Sequence, residues 1–455
     1  MSEEVAARLA LSDRGTLVAP AGHGKTWTLA RAVRFAGPRQ LVLTHTHAGV
    51  QSLRKHLAAA GVASEDVEVD TIDGYAMKWV THYPGVAGWQ PNESDPDWSA
   101  LHPAALRVLM EPSVLQIVER SYRGLFVDEY QDCSVDQHEL VRQLATALPT
   151  RLVGDQNQGI YNFPGSPAVD FKTAVWPEFP AVGGLDVPWR WHQSPVLGED
   201  LRRLRQELLR GDAPNLASYE AIWVRGPHPA ALSSVCRELV DGGGTVAVLR
   251  ANANQAHSTA SRLGGRYVSM EEVEGRDIVQ AAQALETTEG PSRVAVLLDV
   301  LERCTTKVVP DLKTARRSFE EGEAARVPRG RLGPLVTALN AVADTESLVR
   351  IPRAIDLICS HHGTVVYRPE VPQTLKDALY IHEQADPSIA LASAVRRARR
   401  QQRGRQLPSR IVSRTRLVKG LQFDHVVVCD SNDLDANNLY VALTRGVSSV
   451  TVVRT

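Results

Sequence analysis

Gly15 to Thr26 read GTLVAPAGHGKT, and the folding of this stretch decides the architecture. GTLVAP is apolar enough for a short buried strand, the loop that follows is made of small residues, and KTWTLARAVRF has helical spacing. A strand, a glycine-bearing loop and a helix opened by Lys-Thr make a cradle for phosphate. Gly22 and Gly24 let backbone N–H groups turn inward, and the helix N-terminus adds partial positive charge. In such a cradle Lys25 holds the β- and γ-phosphates of ATP and Thr26 ligates Mg²⁺, with Ala21, His23 and Trp27 beside them. Ala19 stands where a strict form of the motif has its first glycine. Taken alone, the stretch also fits a glycine-rich loop before an ordinary helix.

Outward from the loop, strand-like and helix-like runs alternate: QLVLTHT (Gln40–Thr46), VQSLRKHLAAAG, VEVDTIDGYA, GLFVDE, HELVRQLATAL and TRLVGDQ. Such alternation builds a parallel sheet with helices on both faces. Between Thr81 and Pro103 the text turns rich in Pro, Gly, Asp and Trp and reads as an insertion. From Gly242 strand and helix restart, residues from about 270 to 406 are mostly helical in pattern, and strand and helix return from Arg410 onward. The expected division is a first α/β lobe over 1–75 and 114–182 with a short insertion at 76–113. A second lobe is expected over 183–265 and 407–455, with a helical insertion at 266–406.

A chain of 455 residues with 43% hydrophobic and 23% charged content is ordinary for a globular protein of several domains. Net charge is −1, so any nucleic-acid surface has to be local. The five cysteines show no C-x-x-C pair, which argues against a zinc ribbon, a cluster or a disulfide framework and points to reduced thiols in a cytoplasm. The acidic start MSEEVAARLALSDRG lacks the pattern of a signal peptide, and no apolar run is long enough for a membrane span. Eight of the 51 basic residues are lysine. A lysine retained where arginine is favoured suits a place that the wider guanidinium does not fit.

GLFVDEYQDCS (Gly124–Ser134) ends a buried strand in three carboxylates within five residues. Close behind a phosphate loop, Asp128 fits a Mg²⁺ ligand and Glu129 the group that orients and deprotonates an attacking water. VGDQNQGIYNFPG (Val153–Gly165) ends another strand in polar residues. Gln158 is suited to sensing the γ-phosphate, and Tyr161 or Phe163 to stacking on a base, although such aromatics also serve in loop packing.

In order, APAGHGKT, LTHTHAGV, DTIDGYA, VDEYQD, VGDQNQGIYNF, PWRW, VKGLQF and LYVALTRG resemble the motif series of the superfamily 1 helicases of the UvrD/Rep/PcrA type. The resemblance runs from Ala19 to Gly446. It implies two RecA-like P-loop lobes, ATP hydrolysis with Mg²⁺, and 3′ to 5′ movement on single-stranded or partly duplex DNA. By matching position, Arg190 and Arg445 correspond to the two arginines that reach the γ-phosphate, and Trp189 to the aromatic that stacks on adenine. Lys419 and Gly420 mark a loop that links nucleotide to nucleic acid. Thr44, Thr46, His47 and Thr71 match phosphate-contacting positions of the first lobe, and Phe163 the base-stacking aromatic. Thr46 or His47 equally suit a helix cap.

Four positions depart from the family pattern. The first glutamine is Gln40, so none precedes the phosphate loop; Asp73 replaces a histidine, Gln422 a glutamate and Pro164 an arginine. The short first insertion and the lack of room for a nuclease resemble the helicase-like subunit of Gabija antiphage systems, which implies a separate nuclease partner. A basic run, VRRARRQQRGRQLPSR (Val395–Arg410), carries Arg396, Arg399 and Arg403. It reads either as a surface that tracks a nucleic-acid backbone or as a solvated helix face.

Overall fold

The computed structural model describes residues 2–90, 98–160, 167–227, 230–270, 275–306, 311–385, 390–395 and 408–454. Tyr161, Phe163, Arg396, Arg399 and Arg403, expected to meet nucleic acid, lie outside the described residues, as does Pro164.

The N-terminal run alternates as the sequence predicts. It contains α1 (Ser2–Leu11), β1 (Arg14–Val18), α2 (Lys25–Ala36), β2 (Gln40–Thr44), α3 (His47–Ala59), β3 (Val67–Thr71) and α4 (Ile72–His82). There follow α5 (Pro84–Ala87), α6 (Leu101–Leu109), α7 (Pro112–Ser121), β4 (Gly124–Val127), α8 (Val135–Leu144), β5 (Thr150–Gly154), β6 (Ala181–Gly183), α9 (Pro195–Arg210) and β7 (Ile222–Arg225). The first sheet has the order β3-β2-β4-β5-β1-β6, and its pairs are parallel. β2, β4 and β5 are buried at every position, which is why they read as unbroken apolar runs. One face packs α1, α2 and α3 through Leu9, Leu29, Val33 and Leu53. The other packs α4, α6 and α8 through Tyr75, Trp79, Val108 and Leu140, so the described part of the first insertion belongs to this core.

The later run contains α10 (Ala231–Gly242), β8 (Val246–Arg250), α11 (Ala253–Arg262) and β9 (Val268–Ser269). A largely helical stretch follows: α12 (Gly275–Thr287), α13 (Gly290–Glu302), β10 (Thr305–Thr306), α14 (Lys313–Glu320), α15 (Gly333–Ala343), α16 (Ile351–Cys359), β11 (Val365–Val366) and α17 (Glu370–Tyr380). β12 (Arg410–Arg414), β13 (Phe423–Cys429), α18 (Ala436–Leu443) and β14 (Gly446–Val453) complete it. β13, β8, β12 and β9 pair in parallel, and the helical stretch has its own core around Leu297, Phe319, Leu339 and Ile355. The architecture is α/β, with two RecA-like parallel-sheet lobes.

The compact units divide the chain otherwise than the expected lobe boundaries. One comprises Met1–Val224, Val418–Asp424 and Ser431–Val452; the other comprises Arg225–Leu417, His425–Asp430 and Val453–Thr455. The segments around Arg190, Lys419 and Arg445 thus belong to the phosphate-loop unit. Buried polar contacts account for this: Trp191 Nε1 donates to Gly446 O at 2.7 Å, and Arg190 Nη1 to Thr444 O at 2.6 Å. Polar groups removed from water need such partners.

Candidate active site

The carboxyl ends of β1, β4 and β5 converge because β5 lies between the phosphate-loop strand and the acidic strand. Sites in open α/β sheets form at these strand ends. The loop after β1 turns through Gly22 (φ +73°) and Gly24 (φ +85°), and α2 begins at Lys25. Gly22 is required twice over: the left-handed backbone favours it, and an added Cβ would stand 2.7 Å from Trp191 Cζ3. Lys25 is buried, and its Nζ donates to Ala19 O at 2.9 Å and Pro20 O at 3.2 Å. Burial lowers its pKa, while Asp155, Glu129 and Asp128 pull it back up. Tyr440, on α18, receives the Ala21 N–H on its hydroxyl at 3.2 Å. The loop amides and Lys25 thus already act as donors, the chemistry that holds phosphate oxygens.

Asp128 follows β4 directly and is buried, its N–H bonded to Leu43 O. Burial and the neighbouring Glu129 push its carboxyl up to about 7. Glu129 itself adopts φ +55°, a conformation that costs a non-glycine residue about 1–2 kcal/mol. Hydrogen bonds on both sides hold it there: its N–H donates to Asp128 Oδ1 at 3.0 Å, and Gln131 Nε2 donates to its carboxylate. Burial works against its ionisation, but Lys419, Lys25, Gln131 and Arg445 together keep its pKa below the ordinary value. Two adjacent carboxyls are thereby driven apart, the upper one beside a cationic loop and the lower one poised as an anion.

A cavity of about 320 Å³ is lined by Thr26, Thr44, Asp128, Glu129, Asp132 and Lys419–Gln422, among others. Thr26 and Asp128 offer it a hydroxyl and a carboxylate, hard oxygen donors that suit Mg²⁺ when phosphate and water complete the shell. Among the described residues no group of three or more His, Cys, Asp or Glu side chains could hold a metal by itself.

Around this cavity, Gln158 Nε2 donates to Asp155 Oδ2 at 2.9 Å and its Oε1 accepts from Arg445 Nη2 at 3.2 Å. Arg445 is 2% exposed; its guanidinium also donates to Val441 O, Leu421 O and Thr444 Oγ1. Burial lowers its pKa, and burial with Arg445 nearby brings Arg190 down to about 9. Arg190 is half-buried and Trp189 is 57% exposed. Trp27 is exposed too, with Arg31 5.2 Å from its ring centroid.

The expected nucleic-acid contacts fare differently. Lys419 donates to Asp132 Oδ1 at 2.6 Å and to Gln158 O, a pair 5% and 2% exposed, so its ammonium sits inside the cleft and not on a surface. Thr46 caps α3 through Gly49 N at 3.0 Å, and Thr71 caps α4 through Gly74 N at 2.9 Å. Thr44 is buried at the end of β2 and His47 is exposed. Asp73 bonds His102 Nε2 at 2.8 Å and Gln137 Nε2 at 3.0 Å, which ties α4 to α6 and α8.

Sequence reasoning missed Asp132, Asp155, Arg205, Trp191 and Tyr440. Asp155 is fully buried and takes an ion pair from Arg205 at 3.2 Å. Asp132 and Tyr440 sit in motifs already singled out, so their position was a signal; Arg205 lies in the Arg-rich helix LRRLRQELLR and has none.

Residues 90–173, which contain Asp128, Glu129 and Gln158, match the family model of the UvrD/REP helicase N-terminal domain. A stretch of 54 residues is 46% identical to a probable DNA helicase of Mycoplasma pneumoniae, covering 12% of this chain and 10% of that protein. Among solved structures, an arterivirus nonstructural protein 10 (helicase) in complex with DNA aligns over 100% of this chain and 62% of its own, at 12% identity and a TM-score of 0.38. The Pif1 helicase from Candida albicans aligns over 99% of this chain and 94% of its own, at 12% identity and a TM-score of 0.44.

Proposed function

We propose that the chain is a helicase of the UvrD/REP type, whose N-terminal domain model its residues 90–173 match, and that it hydrolyses ATP to move 3′ to 5′ along single-stranded DNA. The observation that carries this reading is one cavity bringing Thr26, Asp128 and Glu129 together, with Lys25 and Arg445 close enough to hold Glu129 ionised. Lys25 and the loop amides bind the β- and γ-phosphates, exchanging the carbonyls of Ala19 and Pro20 for phosphate oxygens. Thr26 and Asp128 would hold Mg²⁺, which when bound neutralises charge on the phosphates. Glu129 takes the proton of the attacking water, a role worth about 10²–10⁴ in rate. Arg445 and Arg190 stabilise the charge that spreads over the transferred phosphoryl group. Gln158 accepts from Arg445, and its backbone carbonyl accepts from Lys419, which gives phosphate and cleft loop a shared contact.

Steady-state ATP hydrolysis by the purified chain, with and without single-stranded DNA, tests the reading. Stimulation by the strand and loss of turnover in Lys25→Ala and Glu129→Gln are expected. Normal hydrolysis by either variant would refute the site.

A second reading is an ATP-hydrolysing, DNA-sensing subunit that controls a nuclease partner in antiphage defence and unwinds little itself. The Asp73–His102–Gln137 network favours it, since Asp73, where the family has a histidine, is held by His102 and Gln137. Robust strand displacement by the isolated chain would exclude this version. No described helix is long and apolar enough to cross a membrane.

A further inference from the structure

A second, smaller cavity of about 210 Å³ opens beside the phosphate loop, lined by Val5, His23, Gly184, Leu185, Asp186, Val187 and Trp189. Pockets that hold a whole drug-sized ligand run to about 300–1,000 Å³, so this one suits part of a ligand, such as a single ring system. Its walls are apolar: Val5 from α1, Leu185 and Val187 from the strap after β6, and the exposed face of Trp189. Trp189 also borders the loop itself, since a Cβ on Gly24 would lie 3.5 Å from Trp189 Cδ1. A flat aromatic group attached to phosphates in the loop would therefore reach this cavity and stack on Trp189.

The polar side chains in the lining are His23 and Asp186, and the protonation of His23 follows from its contacts. His23 Nδ1 lies 2.7 Å from Ala21 O, and a carbonyl only accepts, so Nδ1 carries the proton. Burial lowers the pKa of the ring, which leaves it neutral and makes Nε2 an acceptor. Asp186 is exposed, and its carboxylate takes no hydrogen bond or ion pair from the described residues. Both groups thus accept and neither donates. A site that reads adenine with an amide uses one donor and one acceptor together. The glutamine nearest the loop in sequence, Gln40, is buried in β2 and donates to Ala36 O and Pro38 O, so it is committed elsewhere.

We propose that this cavity takes the base of the bound nucleoside triphosphate and reads it through the base's own N–H donors, so that guanine is accepted as well as adenine. Guanine offers N1–H and N2–H₂ to a carboxylate side by side; adenine offers N6–H₂ alone. Pyrimidines present less ring to Trp189 and bind more weakly. The inference rests on the reading of the loop as a nucleoside triphosphate site.

The test is the ratio of kcat/KM for GTP to that for ATP, with CTP as the pyrimidine control, in the full chain and in Asp186→Asn. GTP is expected within about threefold of ATP in the wild type. In Asp186→Asn the GTP:ATP ratio is expected to fall by tenfold or more, because the amide places a donor against N1–H. Tenfold corresponds to about 1.4 kcal/mol. A wild-type preference for ATP of a hundredfold, or a ratio unmoved by the substitution, overturns this inference and leaves ATP hydrolysis standing. A chain that hydrolyses no triphosphate fails the earlier reading, and this one with it.

Discussion

Lys419→Met separates a buried ion pair from a nucleic-acid contact, because the two make opposite predictions in two assays. Lys419 and Asp132 are 5% and 2% exposed, and the ammonium also bonds the carbonyl of Gln158. Removing one partner of a buried pair leaves an uncompensated charge and costs about 3–5 kcal/mol. A surface pair would cost about 0–1 kcal/mol. Replacing both partners, as Lys419→Met with Asp132→Leu, removes the orphaned charge and is expected to recover most of the loss. Urea unfolding of the single and double variants measures the coupling. DNA affinity against salt supplies the second readout: a lost phosphate contact on a single strand lowers the salt slope by about 0.7, whereas loss of an internal pair leaves the slope unchanged. A stability cost below about 0.5 kcal/mol, together with a reduced salt slope, would refute the buried-pair account.

Gly22→Ala places a methyl 2.7 Å from Trp191 Cζ3 and 2.9 Å from Arg190 Cβ at φ +73°. Backbone strain of about 1–2 kcal/mol and overpacking of about 1–3 kcal/mol should lower the thermal midpoint and weaken nucleotide binding together. Arg445→Ala is expected to lower ATP turnover by about 10³-fold or more, and Arg445→Lys should not restore it. An ammonium cannot reach Val441 O, Leu421 O, Gln158 Oε1 and Thr444 Oγ1 at once, as the guanidinium does; single-turnover kinetics checks both. In the other unit His257 accepts or donates at Ser269 Oγ, 2.9 Å away, and burial, Arg368 and Arg414 bring its pKa to about 4 from 6.5. The folded state therefore binds the proton less readily than the unfolded one. Stability from this group is full above about pH 6.5 and is lost as pH falls towards 4. The urea midpoint should drop between pH 7 and pH 5, and His257→Gln should flatten that slope.

Much of the geometry of the proposed phosphate site was legible in one dimension because it is local. A loop that turns through two left-handed glycines into a helix opened by Lys25 needs only neighbours in sequence, and so does a strand that runs out into Asp128 and Glu129. The α/β alternation was legible for a similar reason, since fully buried parallel strands read as apolar runs between helical ones. Thr46 and Thr71, expected to contact nucleic acid, sit at helix starts, where each hydroxyl accepts from the first turn as a cap.

By itself, then, the sequence determined the sheet, the loop and the place of the residues proposed to bind phosphate and activate water. Tertiary structure alone decided which distant groups complete them. Lys419 meets Asp132 across 287 residues, Tyr440 meets Ala21 across 419, and Arg205 meets Asp155 across 50. No local pattern encodes such pairs. They form because a charge or hydroxyl carried out of water by the packing of the sheet must find a partner, and the fold determines which one lies within reach.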